Sequence, residues 1–197
     1  MLDITRTMAI NYRSASPSDV TEIARLHADS WRRHYRGAYS DAYLDGDVFE
    51  DRRAVWAERF SHDDDAHFTI VADRDSEMVG FAHTRLDVDP KWGALLDNLH
   101  VHYALKRHGI GRGLMVETAN ILRQKRPSSG LYLWVLKQNT AAQAFYSSVG
   151  GEPVEDRLGG PLPGGGTAPV LRYAWPDPSV LLVRSTECPN TECQNTG

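Results

Sequence analysis

The spacing of apolar residues changes repeatedly along the chain, which predicts alternating strands and helices. Residues 10–13 predict a short strand, and Ser16 followed by a proline marks the start of a helix. A second helix is predicted to begin near Asp47, where a capping pattern precedes more apolar residues at helical spacing. The apolar faces of these two helices hold Val20, Ile23, His27 and Trp31 in the first and Phe49, Trp56 and Phe60 in the second.

The middle of the chain is rich in residues that favour strands. Residues 67–73 and 77–87 predict a hairpin, and residues 94–101 predict a third run of strand. A glycine-rich stretch then opens a helix that is expected to stop before Pro127. The uninterrupted apolar run 131–136 is typical of a strand that is buried on both faces.

The last part of the pattern predicts one more helix and a strand pair. Asn139 is expected to cap the helix and Gly150 to end it. Residues 152–156 and 170–175 predict the strands. Between them, residues 159–166 are so rich in glycine and proline that we expect a loop.

Length and composition agree with one domain. The 197 residues are 41% hydrophobic and 24% charged, which suffices to bury a core without a metal or a disulfide. We predict an α/β (α+β) domain over 9–176 and a partly disordered C-terminal extension over 177–197. Cys188 and Cys193 fall in that extension, so a disulfide framework is excluded.

Charge and hydropathy narrow the classes of partner. Twenty-two Lys and Arg against 26 Asp and Glu give a net charge of −4, which argues against a nucleic-acid binder that relies on overall basicity. The sequence has no apolar run long enough to span a membrane and no signal-peptide core at its start. We therefore expect a cytoplasmic protein without a membrane or nucleic-acid partner.

The glycine-rich turn is the first candidate for chemistry. Free backbone N–H groups at a helix N-terminus can surround a phosphate, and Gly109 and Gly111 would let an anion approach the main chain. A plain tight turn with solvated cations would have the same sequence. The dinucleotide fingerprint fails because Leu114 stands where its third glycine belongs, and no Gly-Lys-Ser/Thr exists for a Walker A loop.

The spacing from Lys106 to Gly111 resembles the GNAT superfamily of acetyl-CoA-dependent N-acetyltransferases. That family carries Gln/Arg-x-x-Gly-x-Gly/Ala after a fourth strand ending Leu-x-Val, here 99–101. Lys106 departs from this pattern because it keeps the charge but loses the planar fork. A second family motif, Asn-x-x-Ala-x-x-Phe-Tyr-x-x-x-Gly, is matched by Asn139, Ala142, Phe145, Tyr146 and Gly150.

The resemblance implies a fold and a cosubstrate. The fold would be a mixed, mostly antiparallel sheet of six or seven strands, splayed between the fourth and fifth, with about four helices. Acetyl-CoA would be the acyl donor, no metal is implied, and a homodimer is common in the family. The residues expected to bind the donor are Leu99, His100, Val101, Lys106, Arg107, His108, Gly109, Ile110, Gly111, Arg112, Gly113, Asn139, Ala142, Phe145 and Tyr146.

Catalysis needs a proton donor for the leaving thiolate and a group that takes a proton from the amine. The family match makes Tyr146 the expected acid, since a phenol normally has a pKa near 10, above about 8.5 for a thiol. Asp97 is the first candidate for the base, and His83, His100 or His102 could serve instead. His100 and His102 share a strand face but lack a third metal ligand, so we expect no metal site.

The acceptor site is less defined by sequence. Trp31 and Tyr35 form an aromatic stripe that is usual in a core, but in this family it would wall the acceptor site together with His83 and Asp97. Nearby acids indicate either solvated loops or steering of a cationic amine. They are Asp41, Asp45, Asp47, Glu50, Asp51 and the run 63–65.

The sequence therefore predicts transfer of an acetyl group to the primary amine of a small, cationic molecule. An amino sugar, an aminoglycoside-type antibiotic or a polyamine would fit. The alternatives are acetylation of protein N-termini or lysines, and a non-catalytic acyl-CoA-binding module. Residues 159–166 discriminate among the enzymes, because a closed pocket suits a small cation and an open groove suits a peptide.

Overall fold

The computed structural model describes residues 9–62, 65–162 and 166–183. Over these ranges the chain forms one sheet of seven strands, with five α-helices. The strands are β1 (Asn11–Ser14), β2 (His67–Arg74), β3 (Glu77–Asp89), β4 (Gly93–Val101), β5 (Leu131–Leu136), β6 (Glu152–Leu158) and β7 (Pro169–Trp175). The helices are α1 (Val20–His34), α2 (Asp41–Asp45), α3 (Val48–Arg59), α4 (Ile110–Lys125) and α5 (Thr140–Ser148).

The order of strands in the sheet is β1-β2-β3-β4-β5-β7-β6, and every neighbouring pair is antiparallel except β4 and β5. Pairing between β4 and β5 is confined to Ala94 with Leu131 and Leu95 with Tyr132. Beyond these pairs both strands continue without bonding to each other. The predicted fold class, with its splay between the fourth and fifth strands, is confirmed.

Helices cover both faces of the sheet because successive strand residues point to opposite sides. Phe81 of β3 packs with Ile23 of α1 and Trp56 of α3. The next residue, Ala82, lies in the larger core that includes Leu114 of α4. The splay is therefore accessible between an α1–α3 layer and an α4 layer.

Most predicted elements occur near their expected bounds. The β2–β3 hairpin turns at Asp75 and Ser76, whose φ angles of 54° and 69° match a two-residue hairpin turn. The described residues form five α-helices where about four were predicted. The additional helix is α2, which is a single short turn. Ser40 caps it by accepting a hydrogen bond from the Tyr43 backbone N–H at 3.3 Å.

The described part of the predicted C-terminal extension is packed. Residues Pro178–Leu182 form a 3-10 turn in which Leu181 is 3% exposed and belongs to the same core as α4. Residues 184–197, with both cysteines, lie outside the described residues. Among the helices that the structure describes, none has the length and apolar character needed to cross a membrane.

Candidate active site

The turn before α4 presents free backbone donors to the splay. Gly109 caps the helix with φ 79°, and Arg107 also adopts a left-handed φ of 68°. The first backbone bond of α4 runs from the Gly113 N–H to the Gly109 carbonyl at 2.9 Å. The three N–H groups before Gly113 therefore lack intrahelical partners, and with the helix dipole they form an anion site.

The three glycines of this turn have different surroundings. A Cβ on Gly109 would meet nothing within 4 Å. A Cβ on Gly111 would lie 3.3 Å from the Phe145 ring of α5, so this glycine keeps the gap between α4 and α5 open. A Cβ on Gly113 would lie 1.9 Å from the hydroxyl of Tyr12. Gly113 thus allows β1 to pack on α4, and its expected role as a donor ligand is not supported.

Lys106, the departure from the family pattern, connects the turn to α1. Its Nζ lies 2.8 Å from Nε2 of His34. Burial and the nearby Arg33 lower the pKa of Lys106, and burial followed by Lys106 lowers that of His34. Since a neutral imidazole accepts from an ammonium, this contact fixes Lys106 beside the turn.

The other predicted residues of the turn are more open. Arg107 and His108 are exposed, and Nδ1 of His108 lies 3.0 Å from the Lys106 carbonyl. Arg112 donates to the Val183 carbonyl at 3.1 Å. The side chains of Arg107 and Arg112 thus place positive charge near the free N–H groups. This charge can attract a phosphate.

The opposite wall of the splay is α5. Asn139 caps this helix by accepting from the Ala142 N–H at 3.1 Å. Tyr146 packs beside Tyr173 and Trp175, with ring centroids at 5.9 and 6.1 Å. Burial, and secondarily Tyr35, raises the pKa of Tyr146 above its usual value, so the phenol keeps its proton at neutral pH.

A β-bulge lies on β4 at the splay. His83 of β3 pairs with Asn98 and Thr84 pairs with Leu96, which leaves Asp97 as the extra residue. Bulges redirect side chains and are frequent beside active sites. Burial and then Asp97 raise the pKa of Tyr35 to about 12. Asp97 is therefore within electrostatic range of Tyr35, and Tyr35 is within electrostatic range of Tyr146.

Asp97 is paired with Arg59, the last residue of α3. Arg59 donates from Nη2 to Asp97 at 2.6 Å and from Nη1 to the Asn98 side-chain oxygen at 2.9 Å. Sequence analysis did not identify Arg59, because no motif connects positions 38 residues apart.

The candidate histidines differ from expectation. His83 is 1% exposed with Nδ1 2.8 Å from Thr69 Oγ1, and burial lowers its pKa to about 2. His100 is 8% exposed with Nδ1 2.8 Å from Ser30 Oγ, and burial lowers its pKa to about 3. Both imidazoles are thus buried with Nδ1 in a hydrogen bond, and contact of His83 with substrate and of His100 with the donor stay predictions. His102 is exposed beyond the end of β4.

The aromatic stripe divides into a core residue and a site residue. Trp31 is 7% exposed and is enclosed by His27, Tyr39 and the Arg52 guanidinium at 4.6, 4.9 and 4.3 Å. Trp31 therefore packs as a core residue, and its contact with substrate stays a prediction. Tyr35 remains half-buried beside the splay.

Two contacts close the acceptor side. Leu162, in the glycine- and proline-rich segment, packs in one cluster with Tyr35 and Ala38. Gln138 donates to the Arg36 carbonyl at 3.3 Å and connects the β5–α5 loop to the α1–α2 loop. We call Leu162, Gln138 and their α1–α2 partners the roof. Residues 163–165 of the predicted loop lie outside the described residues.

The acidic residues near this roof are largely neutralised. Arg36 pairs with both Asp41 and Asp45. Arg52 pairs with Asp51, and Arg53 pairs with Glu50. Asp65 pairs with Lys125. Positions 63 and 64 lie outside the described residues. Paired charges produce a weaker field at a distance, so the basis for steering a polycation is reduced.

Two further features of the described residues concern metal binding and cavities. Within the ranges that the structure describes, no three His, Cys, Asp or Glu side chains are grouped to hold a metal ion. A cleft of about 470 Å³ lies at the far end of the sheet, between the β3–β4 turn and the α4–β5 loop. It includes no predicted site residue.

Comparison with known proteins agrees with this geometry. A model of the acetyltransferase (GNAT) family matches residues 25–150. An uncharacterized N-acetyltransferase, YuaI of Bacillus subtilis, is 27% identical over 87% of this chain and 96% of its own length.

Solved structures show the same fold. PaiA N-acetyltransferase from Thermoplasma acidophilum, solved with coenzyme A, is 22% identical with a TM-score of 0.69, over 85% of this chain and 100% of its own. The ribosomal-protein-S18-alanine N-acetyltransferase of Escherichia coli is 22% identical with a TM-score of 0.61, over 86% of this chain and 94% of its own.

Proposed function

The chain belongs to the acetyltransferase (GNAT) family and is an acetyl-CoA-dependent acyltransferase, and we propose that its acceptor is the primary amine of a small molecule. The observation that supports this proposal is the roof, in which Leu162, Tyr35 and Ala38 pack against the same buried cluster of Leu136, Ala168 and Val170. A peptide needs an open groove along the acceptor side. The roof instead favours a compact amine that enters beside the splay.

The residues of the splay fit the donor that the family uses. The free N–H groups at the start of α4 would hold the diphosphate, because they are unpaired and lie at the positive end of a helix. Leu99 and Val101 lie on the unpaired edge of β4, whose backbone can bond to the pantetheine arm. Acetyl-CoA supplies the thioester when bound, and a main-chain N–H of β4 would polarise its carbonyl.

Tyr146 is proposed as the general acid. Its raised pKa keeps a proton on Oη throughout the neutral range, and that proton would be given to the leaving sulfur. Transfer is direct: the amine nitrogen bonds to the acetyl carbon as the carbon–sulfur bond breaks.

Asp97 is proposed to bind the incoming ammonium and to receive its proton directly or through water. Its position on the bulge supports this role, since Tyr35 is within its electrostatic reach. The ion pair with Arg59 fixes the position of the carboxylate, and the Asp97 side chain is 26% exposed, so an incoming ammonium can reach it.

A direct assay separates the proposal from its alternatives. Small amines and peptides with free N-termini are incubated with acetyl-CoA, and free thiol and product mass are measured. We expect small amines to exceed peptides in kcat/KM by about tenfold or more. Faster reaction of peptides would favour the protein-acetylating alternative. Absence of thiol release with every acceptor would favour a non-catalytic module.

The same assay tests whether the small amine is a polycation. If an acidic field steers it, kcat/KM for a polyamine or amino sugar would fall as salt rises, because screening acts over about 8 Å at physiological ionic strength. A monoamine would change little. The pairing of the acidic residues leads us to expect only a weak salt dependence.

A further inference from the structure

Arg59 introduces a positive charge into the wall of the acceptor site. It forms an ion pair with Asp97 at 2.6 Å, and each side chain is 26% exposed. The pair therefore lines a surface that a ligand can reach. Asp97 also lies on the β-bulge of β4 at the splay, within electrostatic range of Tyr35, whose pKa it helps to raise.

We propose that the acceptor is a zwitterion of the α-amino acid type, with its ammonium on Asp97 and its carboxylate on Arg59. The inference rests on the proposed function, since it names the class of small amine. It follows from two opposite charges fixed side by side. In an α-amino acid the ammonium and the carboxylate are one carbon apart. Its ammonium can therefore face Asp97 while its carboxylate faces Arg59.

The guanidinium has donors left for a carboxylate. Of its five N–H groups, the bonds to Asp97 and Asn98 use two. The guanidinium also stacks on the Trp56 ring at 4.7 Å, which fixes its plane. A planar, oriented guanidinium favours bidentate binding of a carboxylate.

The charge balance argues against a simple cation. Arg59 compensates the charge of Asp97, so an ammonium alone would approach a neutral pair and be repelled by the guanidinium. The acids outside the site are paired with arginines as well. A carboxylate on the ligand would pair with Arg59, and Asp97 would then pair with the ammonium of the ligand. All four charges would be compensated.

The test compares matched acceptors with the wild-type protein. L-leucine, L-leucinamide and isopentylamine carry the same side chain but differ in the carboxylate, and equivalent sets derive from methionine and phenylalanine. We expect kcat/KM for the amino acid to exceed that for its amide and its decarboxylated amine by about tenfold or more in at least one set. Equal or better use of the analogues that lack a carboxylate in all sets would overturn the proposal.

Variants then locate the recognition. Arg59→Gln is expected to lower kcat/KM for the amino acid by about tenfold or more, mainly through KM, and to leave that for isopentylamine unchanged or to raise it, because the repelling guanidinium is gone. Arg53→Gln is the matched control, because Arg53 is an exposed residue of the same helix paired with Glu50. Acetyl-CoA affinity and urea unfolding verify that each variant is folded.

The outcomes distinguish this inference from the proposed function. An equal loss for all three acceptors in Arg59→Gln would make Arg59 structural and overturn its role in specificity. Rapid acetylation of amines without a preference for a carboxylate would refute the zwitterion but leave the proposed function intact. Lack of reaction with any small amine would refute the proposed function itself.

Discussion

At the residue scale, Tyr146 has the clearest chemical role. Changing it to Phe removes the hydroxyl proton and keeps the ring that packs on Tyr173 and Trp175. We expect kcat to fall about 100-fold or more, with acetyl-CoA affinity nearly unchanged, because only the proton transfer is affected. Tyr173→Phe is the control, since Tyr173 is a buried neighbour in the same aromatic group. A loss below about threefold in Tyr146→Phe would mean that water protonates the thiolate.

The buried histidines make stability depend on pH. His83 and His100 have pKa values lowered to about 2 and about 3 by burial, and burial also lowers that of His27. The unfolded chain binds these protons below about pH 6.5 and the folded one does not, so stability is lost as pH falls. Near pH 5 each of the first two is expected to cost about 2 kcal/mol of unfolding free energy.

Urea unfolding followed by tryptophan fluorescence measures this loss between about pH 7.5 and pH 5. His100→Gln should reduce the loss by about 2 kcal/mol, because one titrating group is gone. His62→Gln is the control, since His62 is exposed. A free energy of unfolding that is constant over this range would contradict the burial of neutral imidazoles.

Single residues show where sequence analysis succeeds. The cap at Asn139 was predicted because it stands in a motif whose spacing is local. The burial of His83 and Trp31 was not predicted, because the face of a strand or helix that meets the core depends on the tertiary packing. The Arg59–Asp97 pair could not be predicted, since it depends on how α3 lies over the sheet.

At the scale of elements, the turn before α4 and the facing helix α5 define the donor slot. Gly111→Val would place a side chain against the Phe145 ring, which a Cβ already approaches to 3.3 Å. We expect acetyl-CoA affinity to fall about tenfold or more, with little loss of fold. Gly160→Val is the control, because a Cβ at Gly160 meets nothing within 4 Å. Normal acetyl-CoA binding by Gly111→Val would make the turn purely structural.

The roof is the element that we propose selects the acceptor. Leu162→Ala removes a side chain that packs against the same buried cluster as Tyr35 and Ala38. We expect KM for the small amine to rise several-fold while acetyl-CoA affinity stays constant, since the change affects only the acceptor side. Leu158→Ala, at a position 63% exposed, is the control. An unchanged KM in Leu162→Ala would show that the roof does not contact the acceptor path.

Elements with strong periodicity were predictable. The strands of the central sheet and the helices α1, α4 and α5 follow from apolar spacing and caps. The short helix α2 was not predicted, because five residues are too few to show a helical repeat of apolar positions. Its Ser40 cap is visible only in the structure. The bulge at Asp97 also escaped prediction, since it is defined by pairing with β3.

At the scale of the whole molecule, the sheet separates two functions. The α4 layer and the splay present free backbone N–H groups, which we propose bind the acyl donor, and Tyr35, Asp97 of β4 and Arg59 of α3 are proposed to meet the acceptor. Both reach the edge of β4 where pairing with β5 ends. The net charge of −4 places no strong field over the whole molecule, so specificity must come from local contacts.

The central claim is that the splay and the N-terminus of α4 bind an acyl-CoA through its diphosphate. Calorimetric titration of the wild-type protein with acetyl-CoA and, separately, with pantetheine tests this most directly. We expect the titration to show one acetyl-CoA per chain. We expect acetyl-CoA to bind at least about tenfold more tightly than pantetheine, because the free N–H groups contact the diphosphate. Equal affinity for the two ligands, or lack of acetyl-CoA binding, would contradict it.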